Sequence, residues 1–366
     1  MFIVLNIYLL YILSGTIHAF SQQEQFFVYK NPIIEGIDPN GLRDCQVFKD
    51  GDMWYLTGTA YPHWTKPGDG HPGVPLYKSE NLLNWIFVNY IVTSSDSLSW
   101  YYERFWAPEV HKINGKYYCT FNCRNVNEGY KLQYCGYAVS NSVEGPYEIV
   151  TKKEPLVAGN DLTLFQDDDG SVWAFWKDLC RDQGIQYAQI DLESCRFLTD
   201  AKIAILPARS IYRRDSQGQY IMKTHYVEEK DIVRYLDWDS KGIEGAYVLK
   251  RDGLYYLFYS SWQRGYEIGY AIAESIDGPW IKSKNNPIYG NNSKPKDLQK
   301  GEELPYSAVG HNVIFEGPDG NFWISCHGIL KGENPMLMID PIYFDEDGEI
   351  YTLGPTSTMQ TIKMNK

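Results

Sequence analysis

The sequence predicts an all-β protein, a five-bladed β-propeller with four antiparallel strands per blade. A turn followed by an aromatic-rich strand occurs five times along its 366 residues. The composition agrees, because 30 tyrosines, 11 tryptophans and 31 glycines suit strands and turns, and long apolar stripes with helical spacing are absent. Propeller blades are repeated four-stranded sheets, so five repeats predict five blades.

Each repeat begins at an Asn-Gly or Asp-Gly turn, a strong signal of a β-hairpin because both turn positions tolerate positive φ. The turn glycines are Gly51, Gly115, Gly170, Gly253 and Gly320. Later strands are visible as strand–turn–strand segments at 75–88, 136–150, 185–198, 269–283 and 336–355. The strand before each turn is the natural candidate for the innermost strand of its blade, which lines the central channel.

Residues 1–19 form an apolar run that ends in small residues. It is too short and too interrupted for a membrane span, which needs about 20 apolar residues, and it is typical of a secretory signal peptide cleaved after Ala19. No Lys or Arg precedes the run, and an uncleaved N-terminal anchor is the alternative. We expect residues 20–366 to form one five-bladed propeller domain, without room for a second module, in a secreted or periplasmic protein.

The formal net charge of −12 makes the chain acidic. An acidic surface repels phosphate groups, so neither nucleic acid nor stable membrane insertion is expected. Seven cysteines are too few for a scaffold built on disulfides. We expect most of them to be buried, with one or two bridges among them at most.

An ionisable residue opens each of the five strands that precede a turn glycine. These residues are Asp44, Glu109, Asp161, Glu244 and His311. One such residue alone is usually a strand end or a turn cap, but five on radially arranged strands must converge near the axis at one face. Like charges held close raise one another's pKa values, which is how a general acid stays protonated near neutral pH. The set therefore predicts a functional centre.

Four segments resemble glycoside hydrolase family 43, a family of five-bladed propellers. They read WAPEVHKINGKYYCTF at 106–121, DLTLFQDDDGSVW at 161–173, EGAYVLKRDGLYYLFYSS at 244–261 and GHNVIFEGPDG at 310–320. The resemblance implies an inverting glycosidase, with Asp44 as general base, Glu244 as general acid and Asp161 as modulator of that acid's pKa. It also implies that His311 lies beside a divalent cation near the channel axis, often calcium, or beside ordered waters, and that no other cofactor is required.

The chain departs from the family pattern near the predicted base. The family usually places Pro after its base and its pKa-tuning Asp, where this chain has Cys45 and Leu162. A competing candidate for the base is Asp38, which does precede a proline. The distance to the following strand favours Asp44, because Asp38 would need six extra residues in its strand.

Inverting glycosidases hold their two carboxyl groups about 6.5–9.5 Å apart, with room for water. The base and acid lie on blades 1 and 4, which are not adjacent, so they should face each other across the channel. We expect substrate contacts from Arg43, Trp100, Trp106, Glu109 and His311. Glu109 either binds substrate or braces Arg43.

The resemblance implies exo-action on terminal α-L-arabinofuranosyl or β-D-xylosyl groups, with galactofuranosyl groups next, in plant- or algal-type oligosaccharides or polysaccharides. A non-catalytic carbohydrate-binding propeller is the alternative. It would keep the aromatic residues of the funnel but lose the acid or the base.

Overall fold

The computed structural model describes residues 24–94, 96–179, 184–208, 210–214, 220–226, 238–239, 242–262, 264–291, 293 and 302–365. The predicted signal peptide, residues 1–19, and Cys180 lie outside the described residues. In these ranges the helical content is one short 3₁₀ turn, Val126–Glu128. Nothing helical in the described part of the chain is long and apolar enough to cross a bilayer.

The strands follow the predicted repeats. The first strand of the described residues is β1 (Phe26–Tyr29). Blade 1 contains β2 (Leu42–Asp50), β3 (Met53–Ala60), β4 (Val74–Ser79) and β5 (Ile86–Val92). Blade 2 contains β6 (Glu103–Ile113), β7 (Lys116–Asn125), β8 (Tyr130–Ser140) and β9 (Glu148–Ile149). Blade 3 contains β10 (Val157–Gln166), β11 (Val172–Asp178), β12 (Ile185–Asp191), β13 (Arg196–Phe197) and β14 (Lys202–Ile205).

A separate two-stranded hairpin, β15 (Ser210–Arg214) and β16 (Tyr220–Tyr226), stands between blades 3 and 4 and was not predicted. Blade 4 contains β17 (Glu244–Arg251), β18 (Leu254–Ser261), β19 (Glu267–Ala273), β20 (Ile281–Lys282) and β21 (Tyr289–Gly290). Blade 5 contains β22 (Tyr306–Glu316), β23 (Phe322–Leu330), β24 (Pro335–Phe344) and β25 (Ile350–Thr352). The last strand is β26 (Gln360–Lys363).

The five predicted hairpins are confirmed, and each joins the first and second strands of a blade. All five turn glycines have φ between +60° and +84°, a region that Gly enters at little cost. The number of strands differs from the prediction in blades 3 and 4. In blade 3 the short strands β13 and β14 both pair with the third strand, β12. In blade 4 the short strands β20 and β21 both pair with the third strand, β19. The outermost strand of these blades is therefore divided into two pieces.

Apolar clusters between adjacent blades close the ring. Five such clusters form, one at each blade-to-blade boundary, and each contains fully buried aromatic or aliphatic side chains. Trp323, for example, fills the boundary between blades 5 and 1. The same cluster takes in Tyr29 and Ile33 from the N-terminal segment, and β1 pairs with β26. Burial of apolar surface between blades, rather than hydrogen bonds, thus holds most of the blades together.

The described cysteines carry free thiols, so the bridges allowed by the sequence do not form among them. They are Cys45, Cys119, Cys123, Cys135, Cys195 and Cys326. All except Cys195 are buried. They act as small apolar residues of the core, as expected for most of them.

An ion pair across the boundary of blades 3 and 4 gives a stability prediction. Asp167 accepts hydrogen bonds from the Lys250 ammonium at 2.5 Å and the Tyr255 hydroxyl at 2.7 Å. Burial alone would raise the pKa of Asp167, but these two donors lower it below its usual range. A lowered pKa stabilises the folded state above the unfolded carboxyl pKa of about 3.9, and this contribution is lost as pH falls through the folded value.

We expect Asp167→Asn to lower the free energy of unfolding at pH 7 by about 1 kcal/mol, with a smaller difference at pH 3. Urea unfolding at both pH values measures it. Asp168→Asn is the matched control, because Asp168 also lies 2.7 Å from Lys250 but its side chain is 83% exposed. Exposed pairs contribute little, so the control should match the wild type. An Asp167→Asn penalty that is equal at pH 3 and pH 7 would contradict the electrostatic explanation.

Candidate active site

Each innermost strand is interrupted by a β-bulge near its start. At each bulge the pairing register shifts, and one residue has positive φ. The bulge residues are Asp44, Ala107, Asp161, Gly245 and His311, with φ of +52°, +42°, +56°, +62° and +60°. Bulges next to active sites re-aim side chains. Three of the five predicted ionisable residues thus occupy equivalent bulge positions, whereas Glu244 stands one residue before its bulge and Glu109 two residues after.

Side chains from neighbouring blades fix the bulge backbone. Four of the five bulge N–H groups donate to a buried side chain on the second strand of the preceding blade. The pairs are Ala107 to Thr59 Oγ1 at 2.8 Å, Asp161 to Asn122 Oδ1 at 3.0 Å, His311 to Ser260 Oγ at 3.0 Å and Asp44 to His327 Nδ1 at 3.1 Å. The fifth, Gly245, donates to Asp161 Oδ2 at 3.0 Å. The strained conformations are therefore held from outside each strand.

The bulges open into one cavity of about 100 Å³ at the end of the channel. Its lining comes from all five blades and consists of Arg43, Asp44, Thr59, His63, Trp64, Trp106, Ala107, Asn160, Asp161, Glu244, Tyr266 and His311. The three carboxylates predicted to carry the chemistry are thus brought together. The polar groups converge from different blades in one concave site, which is the usual form of a small-molecule site.

Asp44 is held as a carboxylate. Its Oδ2 accepts the Thr59 hydroxyl at 2.6 Å, and its Oδ1 lies 3.6 Å from His311 Nδ1 and 3.5 Å from His327 Nδ1. Burial alone would raise the pKa of Asp44. His311, His327, Arg43 and the Thr59 hydrogen bond together outweigh burial and lower this pKa below its usual range. Asp44 is therefore ionised at neutral pH.

Asp161 is buried beside both other carboxylates. Its Oδ1 accepts from the Asn122 amide at 2.9 Å and its Oδ2 from the Gly245 N–H. Burial, opposed by His311 but reinforced by the negative charges of Glu244 and Asp44, raises the pKa of Asp161 to about 6. Near neutral pH Asp161 thus adds negative charge next to Glu244.

Glu244 has a partner at each carboxylate oxygen. Its Oε1 accepts a short hydrogen bond from the Tyr266 hydroxyl, and its Oε2 lies 3.4 Å from the ammonium of Lys177. Burial raises the pKa of Tyr266 well above its usual value, so the phenol stays a donor. Gly310 makes this contact possible, because a Cβ there would lie 1.5 Å from Cδ1 of the Tyr266 ring. Tyr266 could not reach Glu244 if residue 310 had a side chain.

His311 lies between carboxylates at the base of the cavity. Burial alone would lower its pKa, but Asp44, Asp161 and Glu244 raise it above the usual value. One ligand atom each from Asp161, Glu244 and His311 lie within 4.8 Å of one another, so these three residues could hold a metal ion. Calcium prefers six to eight oxygen ligands, and an ion here would take most of them from water. It would supply positive charge to balance the carboxylates.

One wall of the cavity is aromatic. Trp64 is 65% exposed and packs edge-on against Trp106, with ring centroids 4.8 Å apart. The Trp106 indole N–H donates to the carbonyl of His63 at 2.8 Å, which fixes its ring. The guanidinium of Arg43 lies 5.8 Å from the Trp64 ring centroid. Of the predicted substrate contacts, Arg43, Trp106 and His311 thus line the cavity, and Trp64 joins them.

The structure does not bring Glu109 or Trp100 into the cavity lining. Glu109 is 4% exposed, and its Oε2 accepts the Thr163 hydroxyl at 2.6 Å, because two residues past the bulge the side chain points between blades. Trp100 is 2% exposed and donates to the carbonyl of Thr151 while stacking on Phe121. Both predictions of substrate contact are therefore corrected to roles in packing.

The competing candidate for the base, Asp38, also lies outside the cavity. Its Oδ1 accepts from the backbone N–H of Asn40 at 2.9 Å and closes a turn before β2. Of the two candidates, the cavity lining includes Asp44 alone.

Sequence reasoning missed the side chains that support the carboxylates. Thr59, Asn122, Lys177, Ser260 and His327 all stand on second strands, seven or eight residues after the turn glycine of their blade. This constant offset was available in the sequence and marks one level of the propeller. Tyr266 carried no such signal, because it lies between β18 and β19 outside any repeat.

Comparisons with known proteins agree with this architecture. The family described as glycosyl hydrolases family 43 matches residues 29–350. A non-reducing end α-L-arabinofuranosidase of Bacteroides ovatus is 23% identical over 87% of this chain and 52% of its own length. A xylan 1,3-β-xylosidase of a Vibrio species is 24% identical over 81% of this chain and 49% of its own length. The chain thus spans about half the length of these two relatives.

A solved structure, described as a thermostable family-43 glycoside hydrolase, is 27% identical to this chain. Its TM-score is 0.68, and the match covers 90% of this chain and 97% of the other. The fold similarity therefore extends over nearly the whole of both molecules.

Proposed function

The chain belongs to family 43 of the glycosyl hydrolases, and on that premise we propose that it is an inverting, exo-acting enzyme for terminal α-L-arabinofuranosyl or β-D-xylosyl groups. Members of this family are glycoside hydrolases, so the reaction class is that of this chain as well. The names of the two relatives support the sugars proposed. The substrate would be a plant- or algal-type oligosaccharide or polysaccharide.

The observation that carries the proposal is the meeting of Asp44, Asp161 and Glu244 in one cavity. Asp44 comes from blade 1 and Glu244 from blade 4, and both line this cavity. The environment of Asp44 favours its ionised form, as a general base requires. A pair of carboxyl groups that flank the sugar, one as base and one as acid, is the basic equipment of a glycosidase.

Hydrolysis then proceeds in one displacement. Glu244 donates its proton to the glycosidic oxygen as the bond to the anomeric carbon breaks. A water molecule attacks from the opposite face, and Asp44 accepts its proton. His311 and Arg43 supply positive charge around the carboxylates, and each step uses only side chains of the chain.

The shape of the site supports exo-action. The loop that carries His63 and Trp64 and the strand that carries Trp106 form one wall, so the cavity is a pocket at the end of the channel. Trp64 presents an exposed ring on which a sugar face can stack. The apolar run at residues 1–19 supports a further part of the proposal, that the enzyme acts outside the cytoplasm as a secreted or periplasmic protein.

Hydrolysis of a substrate panel tests the proposal. The panel contains nitrophenyl α-L-arabinofuranoside, β-D-xyloside and β-D-galactofuranoside together with arabinoxylan oligosaccharides, and Asp44→Asn is the control. We expect release of arabinose or xylose that Asp44→Asn abolishes, with the inverted anomer appearing first in proton NMR. Retention of configuration would contradict the roles of Asp44 and Glu244. Binding of the oligosaccharides without any release would favour a carbohydrate-binding propeller.

A further inference from the structure

The second strands of the five blades carry one buried side chain each at the same level of the channel. Each of these positions pairs with the residue just before a bulge, and each of the five residues is buried. The five side chains are Thr59, Asn122, Lys177, Ser260 and His327. Four of them accept the bulge N–H of the next blade, as described above. These four side chains thus share one structural role, which is to hold the bulge of the next blade in place.

Lys177 departs from this pattern. An ammonium has no acceptor, so the Gly245 N–H donates to Asp161 instead. The Nζ of Lys177 lies 3.4 Å from Glu244 Oε2 and 4.1 Å from the centroid of the Trp262 ring. The side chains of Lys177 and Glu244 are 7% and 17% exposed, so water screens their interaction only in part. The one cation among the five positions therefore stands beside the proposed proton donor.

The other charged and titratable groups around Glu244 come from three more elements. Asp161 on β10 and His311 on β22 have ligand atoms within 4.8 Å of it, and Tyr266 donates to its Oε1. Of the groups around Glu244, Lys177 and His311 carry the positive charge that attracts a negative charge formed on this side chain.

We propose that Lys177 is a positioning residue that stabilises the Glu244 carboxylate as it forms in the transition state. The inference rests on the proposed role of Glu244 as proton donor. In that step the proton of Glu244 moves to the leaving oxygen, and the bond from this oxygen to the anomeric carbon breaks. A water molecule bonds to the anomeric carbon, and a proton of this water passes to Asp44. The negative charge on Glu244 appears only as the reaction proceeds. The contact with Lys177 is therefore stronger in the transition state than in the bound substrate complex, which is the condition for accelerating the step.

A leaving-group series tests this role. Dinitrophenolate departs without a proton, whereas methanol needs one, so only the methyl glycoside depends on the acid. Both glycosides carry the sugar that the enzyme hydrolyses. We expect Lys177→Met to lower kcat on the methyl glycoside by about 10- to 100-fold. On the dinitrophenyl glycoside kcat should fall by less than about two-fold, and KM should be unchanged for both. Lys177→Arg should restore most of the rate, because it keeps the charge.

Two further variants separate the possible causes of failure. Lys250→Met removes a lysine that pairs with Asp167 away from the cavity, and it should alter stability without any leaving-group dependence. An equal loss on both glycosides in Lys177→Met would overturn the inference, because it indicates a merely structural role. Glu244→Gln must itself show the leaving-group dependence. If Glu244→Gln lacks this dependence, the proposed role of Glu244 fails. If Glu244→Gln shows the dependence but Lys177→Met does not, only the inference about Lys177 fails.

Trp262→Leu keeps the test decisive if Lys177→Met does not fold. Loss of the ring lets water reach the ammonium, so we expect a smaller decrease in kcat on the methyl glycoside and none on the dinitrophenyl glycoside. A larger decrease in kcat on the dinitrophenyl glycoside than on the methyl glycoside would overturn the inference.

Discussion

Asp44→Asn should lower kcat by about 10²- to 10⁴-fold on every substrate, whatever its leaving group. An amide cannot accept a proton from the attacking water, and every substrate needs this transfer. The variant should fold, because Asn tolerates the positive φ of residue 44 and its amide oxygen can still accept the Thr59 hydroxyl. Steady-state kinetics with the dinitrophenyl glycoside and with an oligosaccharide measure the loss, and urea unfolding checks the fold.

Asp38→Asn is the matched control for this variant. It changes the same functional group six residues earlier, in the turn that Asp38 closes with Asn40, and kcat should stay at the wild-type value. Azide, which needs no base, should restore turnover of the dinitrophenyl glycoside by Asp44→Asn and yield the glycosyl azide of inverted configuration. Wild-type turnover by a folded Asp44→Asn would refute the assignment of the base.

Glu244→Gln should lower kcat by about 10²- to 10⁴-fold on oligosaccharides and methyl glycosides, and far less on dinitrophenyl glycosides. Glutamine keeps the shape of the side chain and an acceptor for the Tyr266 hydroxyl, but it has no proton to give at neutral pH. Because dinitrophenolate is a good leaving group, its departure does not require that proton. The measurement is the ratio of kcat on the dinitrophenyl glycoside to kcat on the methyl glycoside, determined for the wild type and for the variant.

Glu109→Gln is the control for the acid, because Glu109 is a buried glutamate on an inner strand, β6. It accepts the Thr163 hydroxyl away from the cavity, so its replacement should leave the leaving-group dependence at the wild-type value. If Glu109→Gln shows a larger leaving-group effect than Glu244→Gln, the assignment of Glu244 as the acid is wrong.

The sequence by itself determined the architecture and the carboxylates of the site. The turns at Gly51, Gly115, Gly170, Gly253 and Gly320 are local features, because positive φ and a two-residue reversal depend only on the residues at the turn. Counting back one strand length from each turn led to Asp44, Asp161, Glu244 and His311, which all line the cavity. Five repeated hairpins leave few ways to bury their apolar faces, so the blades could be predicted from pattern alone.

Only the tertiary structure decided which side chains enter the site and what supports them. A bulge adds one residue to a strand, and a shift of one residue moves a side chain to the other face. Glu109 stands two residues past the bulge residue of its strand, so it lies further along β6 and accepts the Thr163 hydroxyl instead of lining the cavity. The contacts of Lys177 and Tyr266 with Glu244 join residues 67 and 22 positions apart in the chain. No local preference encodes them, because they exist only once neighbouring blades pack around the channel.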